Sequence, residues 1–338
     1  MPDYNFLSGP LWLINILHIL TLTLHLIAMN FLVGGIVVVL WGKLANRWED
    51  PTVKQFIKLF PSIMAATVTL GVAPLLFLQL VFHQLAYSAA IVSGWFWMAI
   101  IDVAILTYYL FYSAAFSRTP GKGPRAWIMV LSLIGLLYIS FEYSAVFSMV
   151  EHPGQIAEAY AGNQSGFLVN PHFGEYIFRW LHMIFGAVTV GAFIFGIIGR
   201  NNDQAFSTAK GIVLFGTVIN AIVGFVYLFQ LMDLLAPFMR SPGIWALTIG
   251  VLASLALVHF YFKKKLMLAS ILMFISMISM VTTRHYVRMV RLAGEYDPTT
   301  IPIRPQWSIM IVFVICFLIA IATVWYMLKL FKTDRQPA

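Results

Sequence analysis

Histidines and a few carboxylates stand inside otherwise apolar stretches of this 338-residue sequence. The segment FRWLHMIFGAVTVGAF contains Arg179 and His182, and His18 and His25 lie in an equally apolar stretch near the N-terminus. An imidazole in such surroundings is costly unless a partner satisfies it, and by default it marks a functional site. Neutral imidazole is a common metal ligand and also an acid or base near neutral pH. These residues are therefore candidates for ligand binding or proton transfer.

The other candidates are spread along the chain instead of forming one short motif. Asp102 and Glu142 are carboxylates deep within apolar stretches, and His83 and His285 stand near the ends of two others. The sequence contains no H-x-x-x-H or E-x-x-H cluster of the kind that builds a hydrolytic metal centre. A ligand held by several separate helices is therefore favoured over a compact metal site.

The composition indicates that these residues lie in a membrane. Hydrophobic residues make up 61% of the chain and charged residues only 10%, and the mean hydropathy is +0.87. A soluble domain carries about 25% charged residues. The single cysteine, Cys316, excludes disulfides within the chain and cysteine-ligated metal centres. We therefore expect an integral membrane protein.

Runs of about 20 apolar residues predict nine transmembrane helices in an all-α polytopic bundle. No internal repeat is visible, and no extramembrane segment is long enough to fold alone, so a single domain is expected over residues 1–338. The longest connection, 150–170, has room only for a small cap. The predicted spans are 10–42, 58–86, 93–117, 126–149, 171–199, 208–236, 242–262, 266–291 and 306–330.

The distribution of lysine and arginine predicts an N-terminus outside and a C-terminus inside. In that orientation 15 of the 21 basic residues fall on the inner side. The net charge of +8 is then a signature of topology, and it requires no nucleic acid partner. The basic residues left on the outer side are all arginines: Arg179, Arg240, Arg284, Arg288, Arg291 and Arg304.

Three of these outer arginines share one helix face. Arg284, Arg288 and Arg291 recur at i, i+4 and i+7 near the end of the eighth span. They are typical of a solvated helix end that pairs with Glu295 or Asp297. They are equally typical of an anion site, such as one for haem propionates or for an acidic partner. Both interpretations stay open at this stage.

Most of the histidines are predicted to lie in the outer half of the membrane. With a rise of 1.5 Å per residue, His18 lies about 12 Å, His25 about 22 Å and His182 about 15 Å below the outer surface. Asp102 and Glu142 lie at about 12 to 13 Å, and His83 and His285 lie within about 10 Å, whereas His259 alone lies towards the inner side. Haem b takes axial histidine or methionine from a helix bundle and binds its propionates near the surface. A transport pathway would instead require carboxylates at several depths and often a repeat. Haem b is therefore the expected cofactor.

Three segments of the chain also carry a familiar pattern. NPHFGEYIFRWLHMIFGAVTVGAFIFG (170–196), LTLTLHLIAMNFLVGGIVVVL (20–40) and GVAPLLFLQLVFHQLAYS (71–88) resemble helix 5, helix 1 and the start of helix 2 in subunit I of the cytochrome bd quinol oxidases. The similarity covers about the first 235 residues. It implies nine helices with the N-terminus outside, and it places His182 and His25 on that family's haem-ligating histidines.

The chain departs from that family at three places. WFWMAIIDVAILTYYLFY (95–112) offers only Asp102 where the oxidases have two glutamates on helix 3, and LAPFMRSPG (235–243) stands in place of their long outer quinol loop. Met239 is the nearest counterpart of the helix-7 methionine that completes one haem site. We therefore expect a haem-carrying scaffold that does not reduce oxygen by itself.

Together these features predict a haem b subunit of a quinol-linked oxidoreductase complex in the bacterial inner membrane. It would pass electrons between the quinone pool and a periplasmic cytochrome c, because the chain has no C-x-x-C-H motif of its own. Two alternatives stay open: a bd-type terminal oxidase subunit, and a haem-free transporter or membrane anchor. We expect His182 and His25 to ligate the haem iron, and His18, His83 or His285 to complete the axial pairs. We expect Arg179, Arg284 and Arg288 to bind the propionates. Asp102 and Glu142 are expected either to transfer protons or to make structural hydrogen bonds.

Overall fold

The computed structural model describes residues 6–45, 49–116 and 126–309, with scattered residues between 311 and 326. Regular secondary structure in these residues is helical, apart from an isolated bridge between Leu7 and Ile303. Over the continuous ranges the helices are α1 (Leu11–Leu44), α2 (Pro51–Val81), α3 (His83–Val92), α4 (Gly94–Ala115), α5 (Ala126–Met149), α6 (Pro153–Gly162), α7 (Phe173–Ile198), α8 (Asp203–Gln230), α9 (Met232–Met239), α10 (Gly243–Phe262) and α11 (Leu266–Leu292).

Eight of these helices are long and apolar enough to cross a membrane. The other three, α3, α6 and α9, have 10, 10 and 8 residues, and at about 15 Å or less they are too short to cross. The chain is therefore an all-helical, multi-pass membrane protein, as its composition predicts. The predicted ninth span at 306–330 lies partly outside the described residues, and the described part contains a shorter apolar helix, Trp307–Cys316.

Two predicted spans end earlier than the hydropathy indicates. Phe82 leaves the helical conformation with φ −116° and ψ 34°, so His83 and Gln84 begin α3 instead of ending the second span. Leu231 does the same after α8. The segment 235–243, which we expected to join the two spans directly, therefore begins inside α9. Apolar residues continue through both breaks, so hydropathy alone cannot locate them.

The helices fall into two halves with the same order. Each half has two long helices, one short helix and two more long helices: α1 to α5, and α7 to α11, with α6 between the halves. Each half therefore contains four spans, and α1 and α7 enter the membrane from the same side. The expectation of no internal repeat concerned the sequence, whereas the order of long and short helices repeats between the two halves.

The second helices of the two halves begin next to each other. The Asp50 carboxylate accepts a hydrogen bond from the backbone N–H of Thr52 at 2.7 Å and caps α2. The Asn202 side chain accepts from the N–H of Ala205 at 3.1 Å and caps α8. The amide of Asn202 also donates to Asp50 Oδ1 at 3.1 Å. Such caps satisfy the free N–H groups at a helix start, and here they also join α2 to α8.

The first helices of the two halves cross in direct backbone contact. A Cβ atom on Gly34 of α1 would overlap the carbonyl oxygen of Ala187 of α7. A Cβ atom on Gly191 would lie 2.6 Å from Gly34 Cα. Glycine is required at both positions because any side chain would separate the helices, and small residues at such crossings let membrane helices pack closely.

Aromatic side chains fill the core beside this crossing. The rings of Phe31 and Phe56 stack with centroids 4.4 Å apart, and Phe56 meets Phe195 edge to face at 5.3 Å. Phe60 and Phe111 pack at 5.1 Å. All five rings are buried, and they connect α1, α2, α4 and α7. Aromatic pairs in these geometries add attraction beyond the area that they bury.

The described residues within Met1–Asn15 and Pro298–Ala338 form a small unit of their own. Within it the backbone N–H of Leu7 donates to the carbonyl of Pro302 at 2.8 Å, and the N–H of Arg304 donates to the carbonyl of Leu7 at 2.9 Å. The guanidinium of Arg304 lies 5.3 Å from the centroid of the Phe6 ring. Arg304 thus has its own partners within this unit.

We predict that Gly191→Ala destabilises the folded protein. The new Cβ would lie 2.6 Å from Gly34 Cα, so the two backbones must separate, and overpacking of this kind costs about 1–3 kcal/mol. The melting temperature of the detergent-purified protein should fall. Gly211→Ala on α8 is the matched control, because a Cβ there meets nothing within 4 Å and alanine favours a helix. Equal melting temperatures for the two variants would contradict the role of the crossing.

Candidate functional site

His25 on α1 contacts the backbone of α2. Its Nδ1 lies 2.9 Å from the carbonyl oxygen of Thr67. Gly71, one turn further along α2, leaves the room for the ring, because a Cβ there would lie 2.8 Å from both Cε1 and Nδ1 of His25. A carbonyl oxygen only accepts hydrogen bonds, so Nδ1 carries the proton and donates it. In the neutral imidazole, Nε2 is then left with its lone pair.

His182 on α7 makes the same contact with α8. Its Nδ1 lies 3.0 Å from the carbonyl oxygen of Asn220. Gly224 follows one turn later, and a Cβ there would lie 2.9 Å from Cε1 and 3.0 Å from Nδ1 of His182. The second half of the chain therefore repeats the arrangement of a histidine, a helix carbonyl and a glycine four residues after the carbonyl.

His25 and His182 occupy equivalent places relative to the helix crossing. Gly34 follows His25 by nine residues, and Gly191 follows His182 by nine. Because α1 and α7 run in the same direction, both histidines lie on the same side of the crossing, each about 13 Å from it along its helix. The different depths expected for the two histidines stay a prediction, and α1 begins farther from the crossing than α7 does.

The Nε2 atoms of both histidines are open. Neither has a hydrogen-bond partner among the residues that the structure describes, and both side chains are only partly buried. A histidine that binds a metal almost always donates its other ring N–H to a carbonyl or carboxylate, which fixes the tautomer and the ring orientation. His25 and His182 both have this arrangement, with a helix carbonyl as the acceptor.

His18 lies two turns before His25 and extends the row of contacts between α1 and α2. Its Nδ1 is 3.2 Å from the carbonyl oxygen of Pro74, and the residue is buried with 4% exposure. Arg288 and His285 of α11 lie close enough to His18 to interact with it electrostatically. The fold thus brings His18 to two predicted site residues, His285 and Arg288, that are far from it in sequence.

A buried ion cluster lies next to this group. Glu151, just after α5, accepts hydrogen bonds from Arg284 and from Nε of Arg288, the latter at 3.3 Å. Nη1 of Arg179 lies 3.6 Å from the other carboxylate oxygen. Burial alone would raise the pKa of Glu151, but the guanidinium groups of Arg284, Arg179 and Arg288 outweigh it and lower the pKa to about 2.

Glu151 is a functional candidate that the sequence did not reveal. The acids expected beside these arginines were Glu295 and Asp297, whereas the carboxylate that lies among them is Glu151. An excess of arginine on one side of a membrane requires a counter-charge, but its spacing does not indicate which carboxylate supplies it. The i, i+4, i+7 spacing of the arginines therefore indicates that a counter-charge is needed, but it does not identify the carboxylate that provides it.

The ion cluster is not neutral. One carboxylate faces three guanidinium groups, and Nη1 of Arg284 and Nη1 of Arg288 are buried without a hydrogen-bond partner among the described residues. Buried donors are nearly always satisfied in folded proteins. The arrangement fits an additional anionic group better than a solvated helix end. Arg291 instead contacts His152, with its Nη1 2.8 Å from Nε2.

The two carboxylates expected to transfer protons are not brought together. Glu142 lies inside the bundle on α5 with 1% exposure, and its Oε1 has no hydrogen-bond partner among the described residues. Asp102 lies on the exposed surface of α4. The sequence placed both at the same depth but could not show which helix face each occupies.

The remaining candidates are peripheral. His83 is the first residue of α3 and is partly exposed. Met239 ends α9 and is 58% exposed. Among the described residues there is no group of three or more His, Cys, Asp or Glu side chains arranged to hold a metal ion.

Comparison with known proteins assigns no family. No protein-family model, curated protein or solved structure matches the chain.

We predict that Glu151→Gln strongly destabilises the protein. The arginines around it would lose their counter-charge while remaining buried, and breaking a buried ion pair from one side costs about 3–5 kcal/mol. Glu158→Gln on α6 is the control, because Glu158 is exposed and such substitutions usually change stability little. The measurement is the melting temperature in detergent at pH 7.

The same prediction has a pH arm. The pKa of Glu151 in the folded protein is about 2, whereas its ordinary pKa is 4.5. The carboxylate therefore stays ionised in the folded protein down to about pH 2. Because the folded pKa is the lower one, this stabilisation is fully present above pH 4.5 and is lost as the pH falls towards 2. The melting temperature of the wild-type protein should fall in that window more steeply than that of Glu151→Gln. Parallel curves would contradict this account of the cluster.

Proposed function

We propose that this chain is a haem b-carrying membrane subunit of an electron-transfer complex. It would pass electrons between the quinone pool and a periplasmic cytochrome c partner. The observation that carries the proposal is the pair formed by His25 and His182. Each histidine donates through Nδ1 to a helix carbonyl, each leaves Nε2 open, and each stands at the same place in its half of the chain.

The residues around these two histidines fit haem ligation. The carbonyls of Thr67 and Asn220 hold the rings in one tautomer and orientation, and such hydrogen bonds raise the basicity of the ligating nitrogen. Gly71 and Gly224 leave the space that the rings occupy. When bound, haem b supplies reversible one-electron transfer. His18, His285 and His83 are the candidates to complete axial pairs, as the sequence predicts.

The ion cluster is proposed to bind the propionate groups. Arg179, Arg284 and Arg288 surround a single carboxylate, and two of their buried nitrogens have no partner in the described part of the chain. Glu151 would hold the guanidinium groups in place and offset part of their charge. A carboxylate of the cofactor would then supply acceptors for the unpaired donors.

The proposal includes a topology and a location. We propose nine spans, with the N-terminus outside and the C-terminus inside, in a bacterial inner membrane. This orientation is supported by the 15 basic residues that it places on the inner side. It places the start of α1, and with it His18 and the ion cluster, on the periplasmic side, where a soluble cytochrome could dock. The resemblance to subunit I of the cytochrome bd oxidases is part of the same proposal.

Glu142 is the proposed proton carrier for quinol oxidation within the chain. It is buried in the bundle, and its free Oε1 can accept a proton from a donor that enters from the side of α5. Asp102 stands on the surface of α4 and therefore has no route to Glu142 through described hydrogen bonds. If Asp102 takes part, it does so with groups outside this chain.

We predict that His182→Ala and His25→Ala each lower the haem content. Each substitution removes an open Nε2 that no neighbouring described side chain replaces. At least one equivalent of haem should be lost from the purified protein in a pyridine haemochrome assay, and the double variant should lose more than either single one. His259→Ala is the control, because His259 is exposed near the far end of α10. An unchanged haem-to-protein ratio in both folded variants would reject the proposal.

We also predict that the subunit does not reduce oxygen by itself. Oxygen reduction needs an open axial position and proton-delivering carboxylates beside it. Of the two carboxylates available, Asp102 is on the surface and only Glu142 is inside. Oxygen uptake by the purified complex with a reduced quinol analogue should stay at background without the cytochrome partner. Fast, cyanide-sensitive uptake by the subunit alone would establish the oxidase alternative instead.

A further inference from the structure

Asp102 is an exposed carboxylate in the middle of a membrane span. It is the ninth residue of α4, a helix of 22 residues, and so lies about 12 Å from one end of a helix about 33 Å long. No hydrogen bond or ion pair joins it to a described residue. The other acidic residues in the described spans are buried, as Glu142 is, or stand in a first helical turn, as Glu175 and Asp203 do.

Asp102 lies at the centre of a continuous exposed stripe on α4. Successive members are separated by three and four residues in alternation, which is the spacing of a helix that packs along a partner at a shallow angle. Four of its members are aromatic, and one of these, Trp95, also stacks on Phe167 at 5.3 Å. The α4 stripe consists of Trp95, Met98, Asp102, Ile105, Tyr109, Tyr112 and Phe116, all exposed.

The other half of the chain provides a matched comparison. On α10, which takes the place of α4 in the second half, an exposed stripe has the same spacing. Its third member is Leu252, in the position that Asp102 has on α4. Hydrocarbon satisfies leucine, and the Thr248 hydroxyl donates to the carbonyl of Ile244 at 2.9 Å, while His259 lies in the last turn of α10. Lipid can therefore cover the middle of this stripe. The α10 stripe consists of Trp245, Thr248, Leu252, Leu255, His259 and Phe262.

Lipid alone does not satisfy the α4 stripe. Placing an aspartate at the centre of a membrane helix costs about 2.5–3.5 kcal/mol on insertion scales. Intramembrane carboxylates therefore almost always face the interior of a bundle and pair with another polar or charged group. Since Asp102 is exposed on α4 and pairs with none of the described residues, we look for the pairing group in another molecule.

We propose that the α4 stripe is the docking surface of a second membrane subunit, whose facing helix places a lysine or arginine against Asp102. The charge of Asp102 selects this occupant. The stripe supplies an apolar and aromatic seam, and the single ion pair in its centre fixes the register of the two helices, as one polar position does in a coiled coil.

Two other occupants are less suited to this charge. A second copy docked on the same stripe about a two-fold axis would bring Asp102 close to its own counterpart, and two like charges at mid-membrane repel. The remaining apolar segment of this chain, 306–330, has no lysine or arginine before Lys329, so it offers no cation at mid-membrane depth. A partner helix with a basic residue brings no second carboxylate to Asp102 and supplies a cation at its depth in the membrane.

Site-directed photo-crosslinking in native membranes tests the proposal. Benzoylphenylalanine is introduced at Ile105 beside Asp102, and at Leu255 on the α10 stripe as the control, in the otherwise unchanged full-length chain. Mass spectrometry of the crosslinked peptides then identifies what lies against each position. The Ile105 probe should crosslink to a transmembrane peptide of a different polypeptide that contains Lys or Arg in its apolar segment, and the Leu255 probe should not.

Charge substitutions make the test specific. Asp102→Asn and Asp102→Leu should lower the yield of the Ile105 crosslink about tenfold. Asp102→Lys should abolish it, and Lys or Arg→Asp at the crosslinked position of the partner should restore it. The melting temperature should match that of the wild type in every variant, because Asp102 contacts no described partner within the chain.

Several crosslinking results would contradict the proposed docking surface. Crosslinks from Ile105 only to lipid, to a second copy of this chain, or to a helix without a basic residue would each overturn the proposal. So would a crosslink yield that is unchanged in Asp102→Leu. None of these readouts depends on haem content, so the docking surface and the proposed function stand or fall separately.

Discussion

The backbone contact between Gly34 and Gly191 is the constraint on which the rest of the site depends. It allows α1 and α7 to approach more closely than any side chain would permit. His25 and His182 stand the same number of residues before it, so the crossing places the two imidazoles at the same distance along their helices. The neighbouring helices α2 and α8 then supply the carbonyls that orient the rings, and their capping residues are themselves joined.

The polar groups within the apolar helices and at their ends are found in three different arrangements. The histidines use helix carbonyls, which cost the helix little because glycine clears the approach. The arginines use Glu151, which offsets only part of their charge and leaves donors free. Asp102 has no hydrogen-bond or ion-pair partner in the part of the chain that the structure describes. The first two arrangements face inward and suit a bound cofactor, whereas the third faces outward and suits another subunit.

The helical class, the multiple spans and the polar residues of interest could be predicted from the sequence, because hydropathy and rare intramembrane charges are strong signals. The breaks at Phe82 and Leu231 could not, since apolar residues continue through them. The equivalence of the two halves was hidden for a different reason. It rests on a few residues such as His25 and Gly71, whose meaning depends on contacts between helices. The surface position of Asp102 could not be predicted either, because the depth of a residue along a helix does not determine which face of the helix it occupies.

The central claim is that the open Nε2 atoms of His25 and His182 are haem ligands. A cryo-EM map of the complex, purified from native membranes in mild detergent, tests it most directly. The account predicts planar macrocycle density next to Nε2 of each histidine, while Nδ1 remains in contact with the carbonyls of Thr67 and Asn220. A well-resolved map in which lipid or protein side chains occupy the space next to both Nε2 atoms would contradict it.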